Sequence, residues 1–116
     1  MLALDLSNDP RWLELVAGVR LQVRPLTTAL MVAARSDPAV AAIPDDASDE
    51  DRALVFAKAL GRLAILDWEG VGDAEGDALA VSPDAVDALL DLWPVFEAFQ
   101  ERFVAKAILL DQEKNV

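Results

Sequence analysis

The sequence predicts an α+β fold: a mostly helical single domain with an N-terminal β-hairpin and room for a second short hairpin in its middle. Three observations predict it. Residues 11–24 alternate apolar and polar side chains on either side of a glycine, at hairpin spacing. Three further points, at Thr27/Thr28, Ser48 and Ser82, place a hydroxyl just ahead of a stretch with helical periodicity. Finally, 54% of the 116 residues are hydrophobic and none is cysteine, so the core must come from side-chain burial alone.

The hairpin reads RWLELVAGVRLQVR. A three-residue loop at Val16-Ala17-Gly18 sets Leu15 against Val19 and Leu13 against Leu21 on one face. The same register opposes Glu14 to Arg20 and Trp12 to Gln22 on the other. A two-residue loop would instead oppose Leu15 to Arg20, so the apolar pairing selects the longer loop. Pro25 closes the second strand, and a helix follows over about 27–35 with Leu26, Leu30 and Ala33/Ala34 on its apolar side. Pro38 suits the first turn of a short helix, 38–42, and Pro44 ends it.

Ser48-Asp49-Glu50-Asp51 resembles a capping box, with three acids at the positive end of a long helix. That helix is expected over about 49–68, with Phe56, Leu60, Leu63 and Asp67 in one line and Ala53, Ala57, Leu60 and Ala64 as its small-residue side. Residues 69–81 hold three of the five glycines and read as a loop or short hairpin turning near Glu75-Gly76. Ser82-Pro83-Asp84 opens a helix over 83–90, and Trp93-Pro94 restarts the chain into a last helix, 94–113.

Charge and composition exclude much of chemistry. The net charge is −11, and residues 37–91 concentrate it, with fourteen acids against Arg52, Lys58 and Arg62. Such a chain is repelled by phosphate backbones and anionic headgroups, so neither a nucleic-acid nor a membrane partner is expected. Its start has no basic n-region and meets Asp5 and Asp9 early, unlike a signal peptide. A cytoplasmic protein is therefore the expectation. Histidine, cysteine and tyrosine are absent, which removes the Ser-His and Cys-His nucleophiles and zinc held by His or Cys.

The remaining motifs are weak. Counted from Asp73, the calcium-loop pattern would need glycine at its sixth position and glutamate at its twelfth, where this chain has Ala78 and Asp84. Asp45/Asp46 and Asp49 to Asp51 could serve as paired carboxylates, but a helix start and solvent account for them. No phosphate-binding glycine loop or nucleophile elbow occurs. No catalytic residue, metal or cofactor is expected, and the chain is read as a non-enzyme.

The last helix points to binding. Phe96, Phe99, Phe103, Ala107 and Leu110 recur at helical spacing, the mark of a core-facing stripe. Val95, Val104, Ile108 and Leu109 make other sides apolar too, which is more than one core contact needs. Phe96, Phe99, Phe103, Val104, Ile108 and Leu109 are accordingly the candidate partner-binding residues.

The order of these pieces resembles a known family. A hairpin from Trp12 leads into VRPLTT, a helix ends in LDWEGV, and DAEGDALAVSPDAVDALLD and FEAFQERF…LLDQEKN follow. This is similar to the small tail assembly chaperones of tailed phages, prophages and gene transfer agents. The resemblance implies a non-enzymatic factor, working in the bacterial cytoplasm, that binds the tape measure protein and keeps it soluble while tail tube subunits polymerise around it. It also implies contact with the tail tube protein in frameshifted longer forms, and homo-oligomers. Rival readings are a structural head or tail component and an acidic nucleic-acid mimic or adaptor.

Overall fold

The computed structural model describes residues 9–105. Strand β1 (Arg11–Glu14) and strand β2 (Arg20–Val23) form the hairpin in the register the apolar pairing selects, with Leu13 opposite Leu21 and Glu14 opposite Arg20. The loop closes through Leu15 N–H to Val19 O at 2.9 Å and Val19 N–H to Val16 O at 3.1 Å. Gly18 takes the left-handed φ of +76° that ends such a loop, and Ala17 is left-handed too at 57°.

Helix α1 (Thr28–Arg35) is capped by Thr27, whose hydroxyl accepts from Leu30 N–H at 3.1 Å. Asp37 caps the one-turn helix α2 (Pro38–Ala41), accepting from Ala39 N–H at 2.8 Å. Ser48 caps α3 (Asp49–Ala64) through Asp51 N–H at 3.0 Å. Arg52 reaches back to the carbonyls of Pro44 and Asp45 at 3.0 and 2.8 Å, pinning the acidic loop to the helix it precedes.

The largest departure from expectation is the end of α3. The helix stops at Ala64 rather than near Trp68, and Ile65–Glu69 forms strand β3. β3 pairs antiparallel with β2, giving a three-stranded sheet of order β1-β2-β3. The physical reason is a tertiary one. As a strand, this segment buries Ile65 and Trp68 on the sheet's inner face, lays Trp68 beside Leu21, and gives the free edge of β2 a partner. A bulge between Gln22 and Val23 absorbs the irregular spacing.

Residues 69–81 form a small loop closed by one antiparallel bridge, Gly72 with Ala78. Asp73 organises it, accepting from the N–H groups of Glu75 and Asp77, each at 3.0 Å. Trp68 fastens it by donating its indole N–H to Leu79 O at 2.7 Å. Helix α4 (Pro83–Leu90) is capped by Ser82 and crosses α3 at Gly61, where a Cβ would stand 3.0 Å from Leu90 Cδ1.

The last helix also differs in detail. α5 (Trp93–Phe99) begins one residue earlier than expected and gives way to a π-helical turn, Gln100–Val104. The rest of the expected span to 113 lies outside the described residues. The core gathers the inner sheet face, α3, α4 and this last segment around Leu21, Leu60, Leu90 and Phe99, each with essentially no exposed surface.

Candidate functional site

Of the six residues the sequence singles out, the structure divides the four it describes. Phe99, Phe103 and Val104 are buried, Phe99 completely, and Phe99 and Phe103 stack with ring centroids 5.1 Å apart. All three join the core, and Val104 also lines the groove described below. Phe96 alone is half-buried at the surface. Ile108 and Leu109 lie outside the described residues.

The π-helical turn explains why the helix looked over-apolar. In a continuous α-helix, Val104 would sit five residues and roughly 140° round from Phe99, on another face. The turn is widened instead: Ala105 N–H bonds to Gln100 O, five residues back. One more residue fits into the turn, so Phe103 and Val104 both turn inward beside Phe99. Part of the apolar surplus is thereby spent on the core.

What remains on the surface begins at Trp93. It is 61% exposed and Leu92 before it is 56% exposed, the two most exposed large apolar residues among those described. The Trp93 ring lies 5.7 Å from that of Phe96. Phe96 in turn lines a shallow groove of about 390 Å³ with Glu97, Gln100, Glu101, Val104 and Ala105. Trp93, Phe96 and Gln100 follow one another at i, i+3 and i+7, so a single side of the segment carries the tryptophan into the groove. Sequence reasoning passed over Trp93, although its place three residues ahead of Phe96 was a usable signal.

The groove is apolar at its floor and acidic at its rim. Glu97 and Glu101 stand one helical turn apart, and among the described residues neither is paired with a cation. The Gln100 side-chain oxygen is shielded from solvent and has no hydrogen-bond partner among the described residues. Arg102, on the same turn, is engaged elsewhere: one of its terminal nitrogens donates to Glu14 O at 2.7 Å and Leu15 O at 2.9 Å, tying the segment to the hairpin.

The other ionic features are structural. Arg62 on α3 donates to Asp87 at 2.6 Å and to Asp37 at 3.0 Å, linking α3 to α4 and to the cap of α2. The bond from Arg62, helped by Ala39 N–H, holds the Asp37 carboxyl below its ordinary value of 3.8. Partial burial works against the charged guanidinium, but its bonds to both carboxylates outweigh this and raise its pKa. On the outer sheet face Arg20 pairs with Glu69 at 2.9 Å and lies 4.8 Å over the Trp12 ring. Among the described residues no three acidic side chains converge to hold a metal ion, and no helix is long and apolar enough to cross a membrane.

Residues 22–116 match the family described as YdaY prophage protein. No curated protein and no solved structure gives a match to the chain.

Proposed function

The chain belongs to the YdaY prophage protein family, and from that premise we propose that it is a non-enzymatic tail assembly chaperone, acting in the bacterial cytoplasm on the tape measure protein of its prophage. The observation that carries this reading is the exposed Trp93–Phe96 surface running into an acid-rimmed groove on a strongly acidic fold. A tape measure protein is a long helical chain whose apolar stripes associate until a tube encloses them. A factor that keeps it soluble needs an apolar contact surface together with charge that makes coated complexes repel one another. Trp93 and Phe96 supply the first, and the acids of 37–91 supply the second. The resemblance of the sequence to tail assembly chaperones points the same way and adds the tail tube protein as a further partner.

The test is co-expression with the tape measure protein of the prophage that carries this chain, followed by size exclusion with light scattering. A soluble joint peak, with the tape protein insoluble alone, supports the chaperone. Separate elution, or retention of this chain in purified particles, overturns it in favour of a structural component. Binding instead to a DNA-binding protein, abolished by moderate salt, would mark an acidic mimic.

A further inference from the structure

The structure points to the occupant of the groove: we propose that Trp93, Phe96 and the groove reaching to Val104 receive an amphipathic helix from another protein, one whose apolar ridge is flanked by lysines or arginines. Three features on this surface converge. An aromatic pair, Trp93 and Phe96, stands at its mouth with Trp93 largely in solvent, the residue type that anchors interfaces most strongly. Glu97 and Glu101 line the groove as carboxylates without a cation among the described residues, and at i, i+4 they repel one another until one arrives. The Gln100 oxygen is desolvated and unpaired there, a cost that a donor on the incoming chain removes.

Charge decides between occupants. A second copy would bring its own −11 against this acidic rim, and like charges across an interface cost affinity. A helix with basic flanks meets the rim favourably and lays its apolar ridge on Phe96 and Val104, the helix-in-groove mode of recognition. The π-helical turn contributes by drawing Val104 inward, so that it forms part of the groove while packing in the core. The identification of that helix with a segment of the tape measure protein rests on the chaperone reading; the preference for basic flanks does not.

The experiment uses the full chain and two labelled synthetic helices sharing one leucine ridge, one flanked by lysines and the other by glutamates. Fluorescence anisotropy should show the lysine-flanked helix binding at least about tenfold tighter, since tenfold corresponds to 1.4 kcal/mol, the scale of one or two favourable charge contacts. Trp93→Ala should weaken binding about tenfold with the melting temperature unchanged. Glu97→Lys/Glu101→Lys should reverse the preference. Equal binding of both helices, no binding of either, or indifference to these substitutions overturns the proposal. So does a dimer of the native chain that Trp93→Ala converts to a monomer, because the groove would then be filled by a second copy. The two readings fail separately. A tape measure complex that survives all three substitutions leaves the chaperone standing and removes the groove as its site. Charge-selective peptide binding without any tape measure complex does the reverse.

Discussion

Gly70, at the end of β3, packs directly on the backbone of Gly18 in the hairpin loop: a Cβ on Gly70 would stand 2.3 Å from Gly18 O. Two turns far apart in sequence therefore meet without side chains between them. The contact sets where the third strand leaves the sheet. Gly70 also has a φ of +81°, so two independent penalties oppose any larger residue there.

Gly70→Ala should accordingly destabilise the fold by about 3 kcal/mol, combining left-handed strain with a backbone clash that cannot be relieved by rotating a side chain. Gly18→Ala is the control. Its φ of +76° carries the strain, but nothing lies within 4 Å of the added methyl, so about 1 kcal/mol is expected. Urea denaturation of the two variants measures the difference directly.

Arg62 holds three elements together, and Arg62→Ala should cost about 2 kcal/mol by leaving Asp37 and Asp87 without their shared donor. The pH dependence has a definite sign. The Asp37 carboxyl titrates lower in the folded chain than its ordinary 3.8, so its contribution is complete above that value and is lost as pH falls through the folded value. Asp37→Asn should therefore flatten part of the acid limb of stability below about pH 4, while losing stability near neutrality. Thermal melts across that range check both.

Phe99→Ala should destabilise by about 3–5 kcal/mol, the usual cost of emptying a fully buried aromatic site. A Phe99→Asp variant would unfold the protein for the same reason and could say nothing about binding. Trp93→Ala removes a ring that is mostly in solvent and should shift stability by no more than about 0.5 kcal/mol. Paired melting curves separate the core residue from the surface one.

Arg102→Ala should loosen the last helical segment rather than the whole fold. Its two bonds to the carbonyls of Glu14 and Leu15 are exposed, so the global loss should stay near 1 kcal/mol. Amide exchange should nevertheless quicken over residues 93–104, because that tie is what anchors the π-helical turn to the hairpin.

Local chemistry decided much of this protein. Residues 11–24 could pair only one way if Leu13 and Leu15 were to face Leu21 and Val19, so the hairpin register follows from side-chain alternation. Thr27, Asp37, Ser48 and Ser82 cap the helices that begin beside them because a side-chain oxygen satisfies an otherwise orphaned N–H wherever those residues precede a periodic run. The acidity of 37–91 is likewise a property of composition.

Tertiary structure alone decided the rest. Ile65-Leu66-Asp67-Trp68 continues the helical pattern of α3 well enough to be read as helix, and becomes a strand because the free edge of β2 lies beside it. No local signal records that edge. The surplus of apolar residues on the last helix was visible, but not its division between core and surface. That depends on a π-helical turn which brings Phe103 and Val104 inward together and, among the described residues, leaves Trp93 exposed and Phe96 half-buried. A helical pattern in sequence assumes a constant turn; here the turn over Gln100–Val104 is widened, and Phe103 and Val104 join Phe99 in the core with Leu21, Leu60 and Leu90.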